Sequence, residues 1–248
     1  MDRTPSGIKG LDELVAGGIP RGTWTLIYGE NGTGKTIIGM QFIWQGLCAG
    51  EVCIHEVTDQ PVDSLRTYFR SFGWDIDPFE KSKQIRFRQL FPRYSTLADP
   101  QVTYVTGRPS AQLTRVFYED VLKQGSRSPT TRIVSDNESL NLLRGGFEEV
   151  IRTLEWSKEW AMKHGANGLR CVSRDLQDPQ AEALLRQYHD NIIELRLGEA
   201  GRELRIMKMF ATEHPVDWMP FEITHEGLQL KRKHVSPMGY AQFRQLSE

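Results

Sequence analysis

Between the apolar run Trp24-Thr25-Leu26-Ile27-Tyr28 and Ile37-Ile38-Gly39-Met40-Gln41-Phe42 lies the octapeptide GENGTGKT, residues 29–36. The pattern G-x-x-x-x-G-K-[ST] carries meaning only where a strand enters and a helix leaves, and both flanks here have that character. Glycines let the backbone curl so that successive N–H groups point inward, and the helix that follows adds its partial positive charge. Gly29, Glu30, Asn31, Gly32, Thr33, Gly34, Lys35, Thr36 and Ile37 are therefore the candidate phosphate cradle. In such a loop the lysine reaches the β- and γ-phosphates and the hydroxyl after it ligates Mg²⁺, roles that fall to Lys35 and Thr36.

The rest of the chain repeats the strand-then-helix alternation that builds a parallel sheet with helices on its faces. Strands are expected at 24–28, 51–56, 132–135 and 169–173, and helices at 35–49, 61–72, near 113–124, over 147–164 and near 181–188. Segments 191–197 and 202–209, separated by Gly-Glu-Ala-Gly, read as a β-hairpin, so the chain should end in antiparallel structure. Residues 91–110 hold three prolines and no clear period, and are read as a long loop. At 248 residues and 39% hydrophobic content, one α/β domain spanning 1–248 is expected. The third core strand ends in Ile133-Val134-Ser135-Asp136, which puts a carboxylate where a phosphate-bound Mg²⁺ needs its second anchor.

Charge narrows the partners. Lysine and arginine number 31 against 32 aspartates and glutamates, so no overall field draws the chain to DNA or an anionic membrane. The one dense basic run, Leu-Lys-Arg-Lys-His at 230–234, is read first as a solvated strand end. Three cysteines without C-x-x-C spacing fit a reducing, cytoplasmic setting, and no apolar run is long enough to insert in a membrane. Six scattered histidines lack metal-ligand spacing, and Trp156 and Trp160, four apart, are read as a packing face.

The opening SGIKGLDELVAGGIPRGTWTLIYGENGTGKT at 6–36, SFGWDI at 71–76 and KMFATEHPVDWMPFEITHEGLQL at 208–230 resemble the KaiC-like, or RadA-like, branch of the RecA superfamily of ATPases. The likeness implies a RecA-type P-loop NTPase core with a mostly parallel sheet. It also implies MgATP at the interfaces of a homo-oligomeric ring, commonly a hexamer. A glutamate pair after the second strand activates water in that family, but here the corresponding stretch reads IHEVTDQP. Counting back from Pro61 puts Thr58 and Asp59 in the pair's place; Glu56 and Glu138 are the other candidate bases.

Asp59 is one methylene shorter than glutamate, and displacing a base by about 1 Å can cost on the order of a hundredfold in rate. The Lys-x-Arg pair that contacts the neighbouring subunit's γ-phosphate is reduced here to Lys208-Met209-Phe210. An arginine finger is worth roughly 10³- to 10⁵-fold elsewhere, so slow turnover is expected. Arg174 holds the register of a γ-phosphate-sensing polar residue. Three readings stay open: a slow regulatory ATPase, a hydrolysis-deficient nucleotide-binding scaffold, and a recombinase-like DNA accessory, which neutral charge disfavours.

Overall fold

The structure is a computed structural model and describes residues 1–90, 92, 99–107, 109–124, 130–174, 179–199 and 201–231. A small antiparallel pair, β1 (Arg3–Thr4) and β2 (Ile19–Pro20), flanks the short α1 (Leu11–Leu14). The sheet proper begins with β3 (Trp24–Gly29), which runs into α2 (Lys35–Cys48). Then come β4 (Val52–Val57), α3 (Val62–Ser71), α4 (Asp77–Lys81), β5 (Ile85–Leu90), β6 (Val102–Val105), α5 (Ala111–Gln124) and β7 (Thr131–Asp136). The remainder is α6 (Glu138–Gly145), α7 (Phe147–His164), β8 (Asn167–Ser173), α8 (Pro179–Tyr188), β9 (Asn191–Gly198), β10 (Gly201–Lys208), β11 (Met219–Thr224) and β12 (Gly227–Leu230).

Ten strands form one sheet in the order β12-β11-β10-β9-β3-β8-β7-β4-β5-β6. From β9 to β6 every pairing is parallel, while β10, β11 and β12 are antiparallel additions at the other edge. The fold is thus the mixed α/β arrangement expected, with the β-hairpin at 191–208 in place. Two strands of the parallel part were not anticipated, nor were β1, β2, β11 and β12. β5 reads Ile-Arg-Phe-Arg-Gln-Leu, with arginines where a buried strand would carry an apolar run, and β6 is a four-residue Val-Thr-Tyr-Val inside the stretch taken as loop. Proline content around a short β-branched run hid the second of these.

Helix α2 packs on one face of the sheet. A Cβ on Gly39 would meet Val134 and one on Gly46 would meet Arg132 and Cys53, so these strand residues face the helix. Strand alternation then puts Arg132, Val134 and Asp136 on the α2 side, and Val52, Ile54 and Glu56 on the side of α5 and α7. The large core beneath α2 includes Ile27, Phe42, Val134, Ile193 and Phe221. Trp24, Ile54, Tyr118 and Trp160 form a second core opposite, in which Trp160 serves as the packing residue expected.

Side chain Gln41 fastens both ends of the described chain to α2. Its Nε2 donates to the Gly7 and Leu228 carbonyls at 2.7 and 3.2 Å, and its Oε1 accepts from the Leu228 N–H at 2.8 Å. The Leu230 N–H donates to the Lys9 carbonyl at 3.0 Å beside it.

Candidate phosphate-binding site

All six residues of β3 are buried, and the strand hands over to the loop at Gly29. A Cβ at Gly29 would lie 2.5 Å from the Leu195 carbonyl oxygen of β9, so only glycine lets the two strands run this close. Gly32 and Gly34 have φ of +78° and +108°, and the reversal they allow folds the loop over the start of α2. Gly29→Ala is expected to cost about 1–3 kcal/mol through overpacking. A urea midpoint equal to wild type would show that β9 moves aside without penalty.

Side chains brace the loop from outside. The Ser173 hydroxyl donates to Asn31 Oδ1 at 3.0 Å, the Thr33 hydroxyl to the Glu30 carbonyl at 2.8 Å, and Arg202 Nε to the Gly32 carbonyl at 3.4 Å. Arg202, at the start of β10, brings a guanidinium to the loop that sequence reasoning missed; only the pairing of β9 with β3 places the hairpin tip there. Inside, the buried Lys35 ammonium donates to the Gly29 and Glu30 carbonyls at 2.9 and 2.7 Å. The first amides of α2, Thr36 and Ile37 among them, have no partner four residues earlier within the helix, as at any helix start.

Asp136 ends β7, two strands from β3, on the α2 side of the sheet. Thr36 hydrogen-bonds its carboxyl, yet Oδ2 is buried without a partner. Burial first, and the charge of Asp59 second, push the Asp136 carboxyl up to about 6, while Thr36 and Lys35 pull it back. A hydroxyl and an orphaned carboxylate oxygen, both hard donors, are the set that Mg²⁺ takes from protein when phosphates supply the rest. Thr36 and Asp136 therefore fit the ion.

The other candidates separate. Asp59 is exposed at the mouth, with Asn137 Nδ2 donating to its Oδ2 at 3.4 Å. Thr58 is a latch: its N–H donates to the Asp136 carbonyl at 2.9 Å and its hydroxyl to the Asn137 carbonyl at 2.9 Å, and it accepts the Asn137 N–H at 2.8 Å. Those bonds hold the ends of β4 and β7 side by side. Glu56 lies through the sheet, buried, accepting from Arg88 Nη1 at 2.7 Å.

Glu138 is also buried on that far side, accepting from Ser135 at 2.8 Å and Asn141 at 3.3 Å, with Arg170 at 3.9 Å. Lys208 sits level with Ile192, toward the end of the sheet opposite the loop, and donates to the His189 carbonyl at 2.7 Å. From there it faces away from its own Lys35. Phe210 beyond it is 48% exposed. Arg174 is turned to Glu194 at 3.6 Å, a carboxylate that Arg205 also holds, at 2.6 Å. The basic run 230–234 passes out of the described residues after 231.

The family described as "ATPase: KaiC" matches residues 4–155. The chain belongs to this family. Membership in the KaiC family implies nucleotide binding. A protein called UPF0273 from Thermotoga maritima is 31% identical over 239 residues, covering 92% of this chain and 95% of that one. A UPF0273 protein of Pyrococcus horikoshii is 31% identical over 243 residues, covering 91% and 92%. The circadian clock oscillator protein KaiC of Parathermosynechococcus lividus is 28% identical over 262 residues, covering all of this chain and 44% of its own length. Among solved structures, a KaiC-like protein from Pyrococcus horikoshii superposes with a TM-score of 0.71 at 26% identity, covering 93% of this chain and 99% of that one. Among the described residues, no helix is long and apolar enough to cross a membrane.

Proposed function

We propose that this KaiC-family chain is one domain over 1–248 that binds MgATP in the loop Gly29–Thr36 and hydrolyses it slowly. It would work in the cytoplasm as a homo-oligomeric ring, a hexamer on the family's precedent, in a regulatory role. The observation that carries the reading is the meeting of Lys35, Thr36 and the half-satisfied Asp136 in one buried site. Bound Mg²⁺ supplies positive charge for the developing phosphate oxygens. Lys35 neutralises the triphosphate, the loop amides orient it, and Asp59, the carboxylate on the open side, holds the attacking water.

Slow turnover follows from two residues. Asp59 is one methylene shorter than glutamate and solvent-exposed, so it holds the water loosely. Lys208 faces away from its own loop and can meet phosphate only on a neighbouring copy, where Phe210 brings no charge. That phenylalanine favours a second reading, in which hydrolysis is absent and bound ATP merely cements the ring. Neutral overall charge argues against DNA as the partner.

Phosphate release by wild type, Lys35→Ala and Asp59→Ala, with nucleotide affinity measured alongside, separates these readings. Slow wild-type release that falls in both variants supports the ATPase. Release no greater than that of Lys35→Ala, with ATP still bound by wild type, gives the scaffold. No ATP binding by wild type sinks both. Light scattering with and without nucleotide tests the ring.

A further inference from the structure

At the mouth of the phosphate site, Asn137 has every polar atom engaged. Its backbone is clamped by Thr58, whose hydroxyl donates to the Asn137 carbonyl at 2.9 Å and accepts its N–H at 2.8 Å. Its side chain then serves two partners. Oδ1 accepts the Ser139 N–H at 3.1 Å and so caps α6, while Nδ2 donates to Asp59 Oδ2 at 3.4 Å. The cap settles which way the amide points, because the Ser139 N–H can meet only the oxygen, and the nitrogen is thereby turned to the carboxylate.

Asp59 depends on that contact. It is exposed, and among the described residues no other group bonds its carboxylate. After burial, its charge is the next influence on the Asp136 carboxyl, so it stands near the end of β7. An exposed carboxylate without a partner moves among several rotamers, and one hydrogen bond selects among them. The same asparagine also reaches the loop. Ser139, whose N–H it caps, offers its buried hydroxyl oxygen to the Ser173 N–H at 2.8 Å, and the Ser173 hydroxyl donates to Asn31 Oδ1 at 3.0 Å. An unbroken run of hydrogen bonds thus joins Asp59 to the phosphate loop across the ends of β4, β7 and β8.

On the reading of this chain as a MgATPase, we infer that Asn137 is a positioning residue that holds Asp59 in register with the phosphate loop. Its part is indirect. Nδ2 fixes the carboxylate that holds the water, and Oδ1 ties that support to the loop that holds the phosphate. A slip of about 1 Å between the two costs on the order of a hundredfold in rate.

Asn137→Ser and Asn137→Asp test this, because both keep a good helix cap and neither keeps the amide donor. A merely structural cap would survive in both variants, and turnover with it. Asn137→Ser is expected to fold, to bind Mg-ATP within about twofold of wild type, and to release phosphate at least about tenfold more slowly at saturation. Asn137→Asp sets a like charge against Asp59 and should be slower still. The contact can also be read without turnover: in ¹⁵N spectra of the nucleotide-free protein, the side-chain amide signal that Asn137→Ser removes should shift in Asp59→Ala. Wild-type turnover in folded Asn137→Ser, with Asp59→Ala slow, would overturn the inference alone, as would an amide signal indifferent to Asp59→Ala. Wild-type release no greater than that of Lys35→Ala, or unchanged in Asp59→Ala, would instead remove the reading on which the inference rests, and the inference with it.

Discussion

Asp136→Asn should make the nucleotide-free protein more stable while removing its response to Mg-nucleotide. The folded carboxyl titrates near 6 against an ordinary 3.8, chiefly because burial disfavours its charge. For a raised acid, the folded chain holds its proton longer than the unfolded chain. The penalty therefore grows as pH rises from 3.8 to 6 and is complete above that. It amounts to at most about 3 kcal/mol at neutral pH, so the neutral amide should raise the melting temperature by several degrees.

Wild type recovers that loss only when a cation meets Oδ2, so Mg-nucleotide should raise its melting temperature by mass action. The variant should melt at one temperature with or without the ligand, and release phosphate no faster than Lys35→Ala. Differential scanning fluorimetry at pH 7.5 reads both effects. A variant less stable than wild type without ligand would mean that the hydrogen bonds Asp136 makes to Thr36 and Cys171 outweigh the cost of burying its charge.

Acid should unfold the protein early, through two histidines. His55 is fully buried between Phe69 and Phe87 with neither ring nitrogen hydrogen-bonded, and burial pushes it down to about 3. His189 is pushed to about 3 by burial, with the Arg170 charge adding to the effect; its Nδ1 meets the Leu185 carbonyl at 2.6 Å, while Nε2 is unpartnered. For a base with a depressed folded value, stability is complete above the unfolded value near 6.5. It falls as pH drops from there toward 3, by about 1.4 kcal/mol per pH unit for each group.

Asp136 works in the other direction between 6 and 3.8, so the net slope is near one proton in that window and steeper in Asp136→Asn. Urea midpoints should hold from pH 7.5 to about 6.5 and decline from there to pH 4.5, and His55→Leu should flatten the decline by about one proton. A midpoint that holds steady from pH 7 to pH 5 would show that both imidazoles gain protons in the native state.

What could be read from the residues, and what could not, follows from range. The loop was legible because its chemistry is local: glycine spacing, a lysine and a hydroxyl within eight residues, with a strand before and a helix after. Asp136 was legible as the polar end of an apolar run. The water-side candidates were not resolved, because Glu56 and Asp59 are three apart, an odd separation in a region where the strand stops at Val57. Parity puts Glu56 through the sheet, and the bonds of Thr58 to Asn137 decide where Asp59 stands.

Arg170 interrupts what should be an apolar central strand. The interruption is accommodated by contacts no local window contains: Ser157 at 2.7 Å, Glu138 at 3.9 Å and the Trp24 ring at 3.7 Å from the guanidinium carbon. Strand β5 escaped notice for the same reason. Its Arg88 is buried against Glu56 of the neighbouring strand, and the pair is visible only once β4 and β5 are set side by side.

The clasp at Gln41 has a consequence for biosynthesis. The helix that carries Lys35 and Thr36 leaves the ribosome before Leu228 does, so its side chain at 41 waits for a partner made 187 residues later. A nascent chain with the motif already outside the exit tunnel therefore lacks part of what fixes the helix in place. Competence for nucleotide should arrive with Leu228 rather than with the loop itself.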